Sequence, residues 1–112
     1  MKDYKLFQSE FKKWQQKFGL MGYKVYFKHE PIEGCHADIT GTIGEFVATA
    51  RLNSKRTKEE KLERSVVEIA KHEAIHLLLR KLEDLGKSRY LNSDEINEAI
   101  EELTYKLERL ID

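Results

Sequence analysis

The segment KHEAIHLLL, residues 71–79, holds the residues whose types and spacing could do chemistry. His72 and His76 are four residues apart, and Glu73 follows the first histidine. Side chains four residues apart lie on one face of a helix, so both imidazoles could bind one zinc ion. Glu73 would then lie beside the zinc-bound water and take its proton as general base. The segment therefore predicts a catalytic zinc site.

The motif alone is a weak signal, because chance would produce it in roughly one such sequence in fifty. His72 and His76 share a helical stripe with Ser65 and Glu83, which also fits an ordinary solvated face. The same helix, however, carries apolar stripes on two other sides, formed by Val66, Ala70, Ala74 and Leu77 and by Ile75, Leu79 and Leu82. A helix that is apolar on two sides is packed inside a domain. We therefore expect its narrow polar strip to form the floor of a cleft.

A catalytic zinc ion needs a third protein ligand and leaves its fourth position to water. The longer motif H-E-x-x-H-x-x-G-x-x-H is excluded, because Leu79 and Leu82 stand where its glycine and third histidine belong. Other candidate ligands lie upstream, namely His29, Cys35 and His36. The acidic segment DEINEAIEELTYKL offers four more, namely Glu95, Glu98, Glu101 and Glu102. Most of these acids belong to the solvated face of an amphipathic helix, and at most one is a ligand.

The elements around the motif follow from hydrophobic periodicity. Aromatic residues at steps of four, three and four predict a helix over residues 3–18, namely Phe7, Phe11, Trp14 and Phe18. Alternation in YKVYFKHE predicts a half-buried strand that ends at Pro31. Residues 37–43 and 45–52 predict a hairpin around Gly44.

Two helices are predicted in the second half of the chain. Thr57 and Glu60 form a capping box, from which a long helix would run to Leu85 and end at Gly86. Asn92 would start a final amphipathic helix. The fold class is therefore α+β, with an N-terminal helix, a small three-stranded sheet, a long zinc-motif helix and a C-terminal helix, and residues 1–112 form a single domain.

The composition limits the classes of partner and the compartment that we expect for this protein. The 20 basic and 20 acidic residues cancel and are spread along the chain, so we expect no nucleic acid partner. The single Cys35 fits a reducing compartment, and no apolar run is long enough to span a membrane. These features predict a cytoplasmic protein. The zinc site predicted from the histidine motif would act on a peptide or protein substrate.

The sequence resembles, over nearly all of its 112 residues, very small single-domain metallopeptidases. These are the archaeal minigluzincins and their phage-borne relatives. The resemblance rests on an N-terminal helix ending WQQKFGLMGYKVYF, a small sheet, KHEAIHLLL and a terminal EELTYKLERLI. It implies zinc-dependent peptide hydrolysis, with His72 and His76 as zinc ligands, Glu73 as general base and a glutamate of the last helix as third ligand. Lys71 departs from the family, which usually has an uncharged residue before the first histidine.

The resemblance leaves three glutamates as candidates for the third ligand. The phage-like ending, with a glutamate six residues before Leu107, selects Glu101. A thermolysin-like reading of residues 97–100 selects Glu98, and helical phase favours Glu102. We predict Glu101.

The family also implies that the strand before the zinc helix, residues 46–52, is an edge that pairs with extended substrate. Tyr90 and Tyr105 are candidate donors to the transition-state oxyanion. Cys35 or a chain terminus could occupy the zinc and keep the protein latent. The alternative function is a non-catalytic or latent regulatory binding module with a vestigial or structural metal site.

Overall fold

The computed structural model of the chain describes residues 2–42, 45–87 and 93–110. The described residues form, in order, α1 (Lys2–Lys17), β1 (Lys24–Glu30), β2 (Ala37–Thr42), β3 (Val47–Asn53), α2 (Lys58–Glu63), α3 (Val66–Leu78), α4 (Arg80–Lys87) and α5 (Ser93–Leu110). The predicted α+β class, with its terminal helices, three-stranded sheet and central motif helix, is confirmed. None of the helices within these ranges has the length and apolar character needed to cross a membrane.

The core joins α1, the sheet and α3. The predicted aromatic stripe of α1 faces inward, because Phe7 and Phe11 are fully buried and Trp14 nearly so. Phe7 and Phe11 meet the ring of Phe27 on β1 edge-on, with centroids 6.2 and 5.5 Å apart. The small side chains in this core are buried alanines of β3 and α3, namely Ala48, Ala50, Ala70 and Ala74. Such small residues let α3 pack closely in the middle of the domain.

The sheet has the order β1-β3-β2, with β1 parallel and β2 antiparallel to β3. The predicted hairpin pairing of β2 with β3 is therefore confirmed, and the turn at Gly44 lies outside the described residues. The expectation that residues 46–52 form an edge strand is wrong, since β3 is the central strand. Alternate residues of β3 are almost completely buried, as a central strand requires. The edge next to α3 is β2.

The long helix predicted from Thr57 to Leu85 is interrupted twice. Arg64 is extended, with φ −142° and ψ 131°, and Ser65 then starts α3 with a second capping box, in which its side chain accepts from the N–H of Glu68. Leu79, at φ −90° and ψ 0°, separates α3 from α4. The prediction missed the Ser65–Glu68 signal because the apolar periodicity continues across it. Gly86 does not end a helix, since α4 continues to Lys87.

We expect the replacement of Gly41 by alanine to weaken the β2–β3 pair. A Cβ atom there would lie 2.7 Å from the backbone oxygen of Val47, and relieving such a clash costs about 1–3 kcal/mol. Gly22→Ala is the matched control, because a Cβ at Gly22 meets nothing within 4 Å. Urea denaturation of both variants measures the free energies of unfolding. Equal midpoints would contradict the close approach at Gly41.

Candidate metal centre

The histidine motif lies on α3, which packs against α1 and α5. Eight of its 13 residues are buried, including His72 and Glu73, which are only 8% and 7% exposed. His72, Glu73 and His76 line a cleft of about 590 Å³ together with residues 34–39, at and before β2. The expectation that the polar strip of this helix forms the floor of a cleft therefore agrees with the structure.

Glu101 of α5 completes a group of three potential ligands. The Nε2 atoms of His72 and His76 lie 3.2 Å apart. One carboxylate oxygen of Glu101 lies 2.5 Å from His76 Nε2, and the other lies 3.6 Å from His72 Nε2. Within the described ranges, these are the three side chains whose potential ligand atoms all lie within 4.8 Å of one another.

These separations fit a metal ion shared by three side chains. Two ligand atoms at about 2.0–2.1 Å from zinc in tetrahedral geometry lie about 3.3–3.4 Å apart. The observed separations of 2.5, 3.2 and 3.6 Å bracket that value. The Glu101 side chain is 44% exposed, so it has room to even them out. The group can therefore hold a metal ion.

Glu108, also on α5, contacts Nδ1 of His72 and so orients the imidazole ring. Its carboxylate accepts a hydrogen bond from Nδ1 of His72 and pairs with the guanidinium of Arg64. With Nδ1 held by Glu108, Nε2 is the ring nitrogen that faces His76 and Glu101. A carboxylate in this position fixes the tautomer and orientation of a ligand histidine and makes it more basic.

The histidines and glutamates of the group shift one another's pKa values. The neighbouring imidazoles of His72 and His76 hold the pKa of Glu101 well below its usual range. Burial lowers the pKa of His72, but the neighbouring carboxylates of Glu101, Glu73 and Glu108 outweigh it, so the pKa is raised. A metal ion can bind this group only where the Nε2 atoms of both histidines carry no proton.

Glu73 lies beside the ligand group without belonging to it. Burial raises the pKa of its carboxyl to about 7, although His76 and His72 oppose that shift. The charges of Glu101 and Asp38 add to the rise. Glu73 thus has the environment of a carboxyl group that can gain and lose a proton near neutral pH.

The structure separates the other candidate ligands from the group. Glu98 and Glu102 are exposed and do not line the cleft, and Glu102 pairs with Lys106 at 3.0 Å. His29 stacks on Tyr4, with ring centroids 4.9 Å apart, and does not line the cleft either. The exposed Glu95 and the cleft residues Cys35 and His36 are likewise outside the group.

Two tyrosines were predicted as candidate donors to the oxyanion. Tyr90 lies outside the residues that the structure describes, whereas Tyr105 lies within them. Its ring centroid is 5.0 Å from that of His72, and it lines the cleft. Lys71 does not line the cleft, because its amino group lies 4.9 Å from the ring centroid of Trp14 and donates to the backbone carbonyl of Glu108. The charge before the first histidine is thus directed away from the ligand group.

The sequence analysis missed Glu108 and Arg64. Glu108 follows Glu101 by seven residues, or about two helical turns, so both side chains lie on one face of α5. That spacing was the available signal, but α5 is rich in acids and the spacing alone does not select Glu108. Arg64 carried no signal, because it was expected inside a continuous helix.

Comparison with protein-family models, with curated proteins and with solved structures gave no match for this chain. The function must therefore be argued from the geometry of the site.

We expect Glu108→Gln to weaken metal binding without abolishing it. The amide cannot support the Nδ1–H of His72 as a carboxylate does, and losing such a partner typically lowers metal affinity about 10- to 100-fold. Competition with a chromophoric chelator measures the zinc affinity. Glu102→Gln, an exposed change on the same helix, should leave it unchanged. Equal affinities in the two variants would contradict the role of Glu108.

Proposed function

We propose that this protein is a zinc-dependent peptidase in which His72, His76 and Glu101 hold the zinc and Glu73 is the general base. The observation that carries the proposal is the convergence of two histidines and a glutamate on an open cleft, with a further buried glutamate beside them. Two histidines and one glutamate are a donor set of catalytic zinc sites that leaves one position free.

Zinc, when bound, would supply a Lewis acid that acidifies water and polarises a peptide carbonyl. Glu73 would accept the proton of the attacking water and pass it to the leaving amine. Glu108 would hold His72 in the tautomer that binds metal. Tyr105, whose ring lies next to His72, would donate a hydrogen bond to the developing oxyanion.

An extended peptide would bind along β2 rather than β3. The carbonyl of His36 accepts from the N–H of Asn53 on β3, so in the alternating antiparallel pattern the odd-numbered residues of β2 direct their polar groups to the free edge. Arg80 already donates to two of these, the carbonyls of Ile39 and Gly41, at 3.5 and 3.1 Å. The substrate would therefore pair mainly with the start of β2, around Ala37, where the strand lines the cleft.

Metal analysis tests the ligand set first. We expect about one zinc per chain in the wild type and none in His72→Ala. Glu101→Gln should lower the zinc affinity by about 100-fold or more, since loss of a ligand exceeds the 10- to 100-fold effect of an outer partner. Glu102→Gln is the matched control one residue away. A stronger effect at Glu102 than at Glu101 would overturn the ligand set.

Cleavage of unstructured peptides tests the base. We expect Glu73→Gln to keep the zinc and to lose about 10²- to 10⁴-fold in kcat, because the amide cannot accept the proton of water. Glu98→Gln, an exposed change outside the cleft, should keep the wild-type rate. A full rate in Glu73→Gln would contradict the mechanism. A wild-type protein that binds zinc and cleaves nothing would instead support the binding module with a structural metal.

A further inference from the structure

A second pocket, of about 340 Å³, lies where α1 begins, β3 ends and α2 passes. Three basic side chains line it, those of Lys2, Arg56 and Lys61. His29 and Asp3 also contribute to the lining. None of its lining residues lines the cleft of the candidate metal centre, so the pocket is a separate feature of the molecule.

Arg56 is a buried cation that forms no ion pair with a carboxylate of the described residues, although the charges of Asp3 and Glu60 act on it from farther away. Its side chain donates to the carbonyl of Glu60 at 3.2 Å and to that of Arg64, yet its Nε is buried with no hydrogen-bond partner. The residue is only 8% exposed, and no carboxylate of the described residues lies within the 4.0 Å of an ion pair. Burial lowers the pKa of Arg56, and the charges of Asp3 and Glu60 oppose that shift without cancelling it. Burying a charge that is only partly compensated is costly. An anion in the pocket would remove that cost.

The charges that line the pocket do not cancel. Lys2 and Lys61, like Arg56, form no ion pair with a carboxylate of the described residues, and Asp3 is the one acid among the described lining residues. The two lysines, Arg56 and Asp3 together give the lining a formal surplus of two positive charges. The start of α1, a helix of 16 residues, adds the partial positive charge of a helix N-terminus. A phosphate group of about −1.5 to −2 charge at neutral pH matches this surplus.

We propose that this pocket binds a phosphate group, as inorganic phosphate or as part of a small phosphomonoester, with Arg56 and Lys61 as its main contacts. The guanidinium of Arg56, whose Nη2 already donates to two carbonyls, supplies a fixed positive charge, and the ammonium of Lys61 acts as a point charge. The volume of about 340 Å³ leaves room for more than the phosphate itself. The site does not depend on the proposed peptidase activity.

Titration with inorganic phosphate at constant ionic strength, followed by amide chemical shifts in NMR spectra of the full chain, tests the site. We expect saturable shifts confined to the pocket. Lys61→Gln should weaken binding about five- to tenfold, since it removes one charge next to the anion. Lys61 is exposed on a helix that buries none of its residues, so the variant should fold.

Lys58→Gln is the matched control, because Lys58 is an exposed lysine of the same helix that does not line the pocket. It should bind phosphate as the wild type does. Equal weakening in both lysine variants, or shifts that do not saturate, would overturn the proposal.

A parallel titration with glucose 6-phosphate distinguishes the two sources of the phosphate group. Tighter binding of the sugar phosphate would support a phosphomonoester ligand that fills the rest of the pocket. Equal or weaker binding would support inorganic phosphate.

Discussion

The burial of ionisable side chains on α3 is the constraint on which the rest of the structure depends. His72 and Glu73 are almost as inaccessible as their apolar neighbours, and such groups are stable inside a protein only with polar partners. α5 supplies the partners of His72 as Glu101 and Glu108, while Ile100 on the same helix is buried. The position of α5 is thus set by charge as well as by apolar contact.

Both interruptions of the central helix serve this arrangement. At the first, Arg64 leaves helical geometry and its guanidinium reaches Glu108. At the second, Leu79 ends α3, and Arg80 then reaches the free-edge carbonyls of β2. One arginine therefore ties α3 to the α5 wall of the cleft, and the other ties it to the β2 wall. The side chains of the motif therefore lie between α5 on one side and β2 on the other, and these two arginines fix both sides.

Local patterns in the sequence predicted the elements but not all of their neighbours. The stripe of Phe7, Phe11 and Trp14 predicted α1, since period and burial are properties of one segment. The order of the strands was not predictable in this way. β1 pairs with β3 although β2 lies between them in the sequence, so the pairing is a non-local contact. Likewise, the i, i+4 spacing of His72 and His76 is local, whereas Glu108 meets His72 across 36 residues of chain.

The choice among the glutamates of α5 shows the same limit. Helical phase favoured Glu102 because it borders the apolar face, yet the structure brings Glu101 to the histidines and leaves Glu102 exposed. Helical periodicity shows which face of α5 is apolar. It does not show which neighbouring element lies next to each border of that face. The edge towards α3 is fixed by the partners that His72 needs, and these are Glu101 and Glu108. The chemistry of the buried histidine therefore decided what the periodicity of α5 could not.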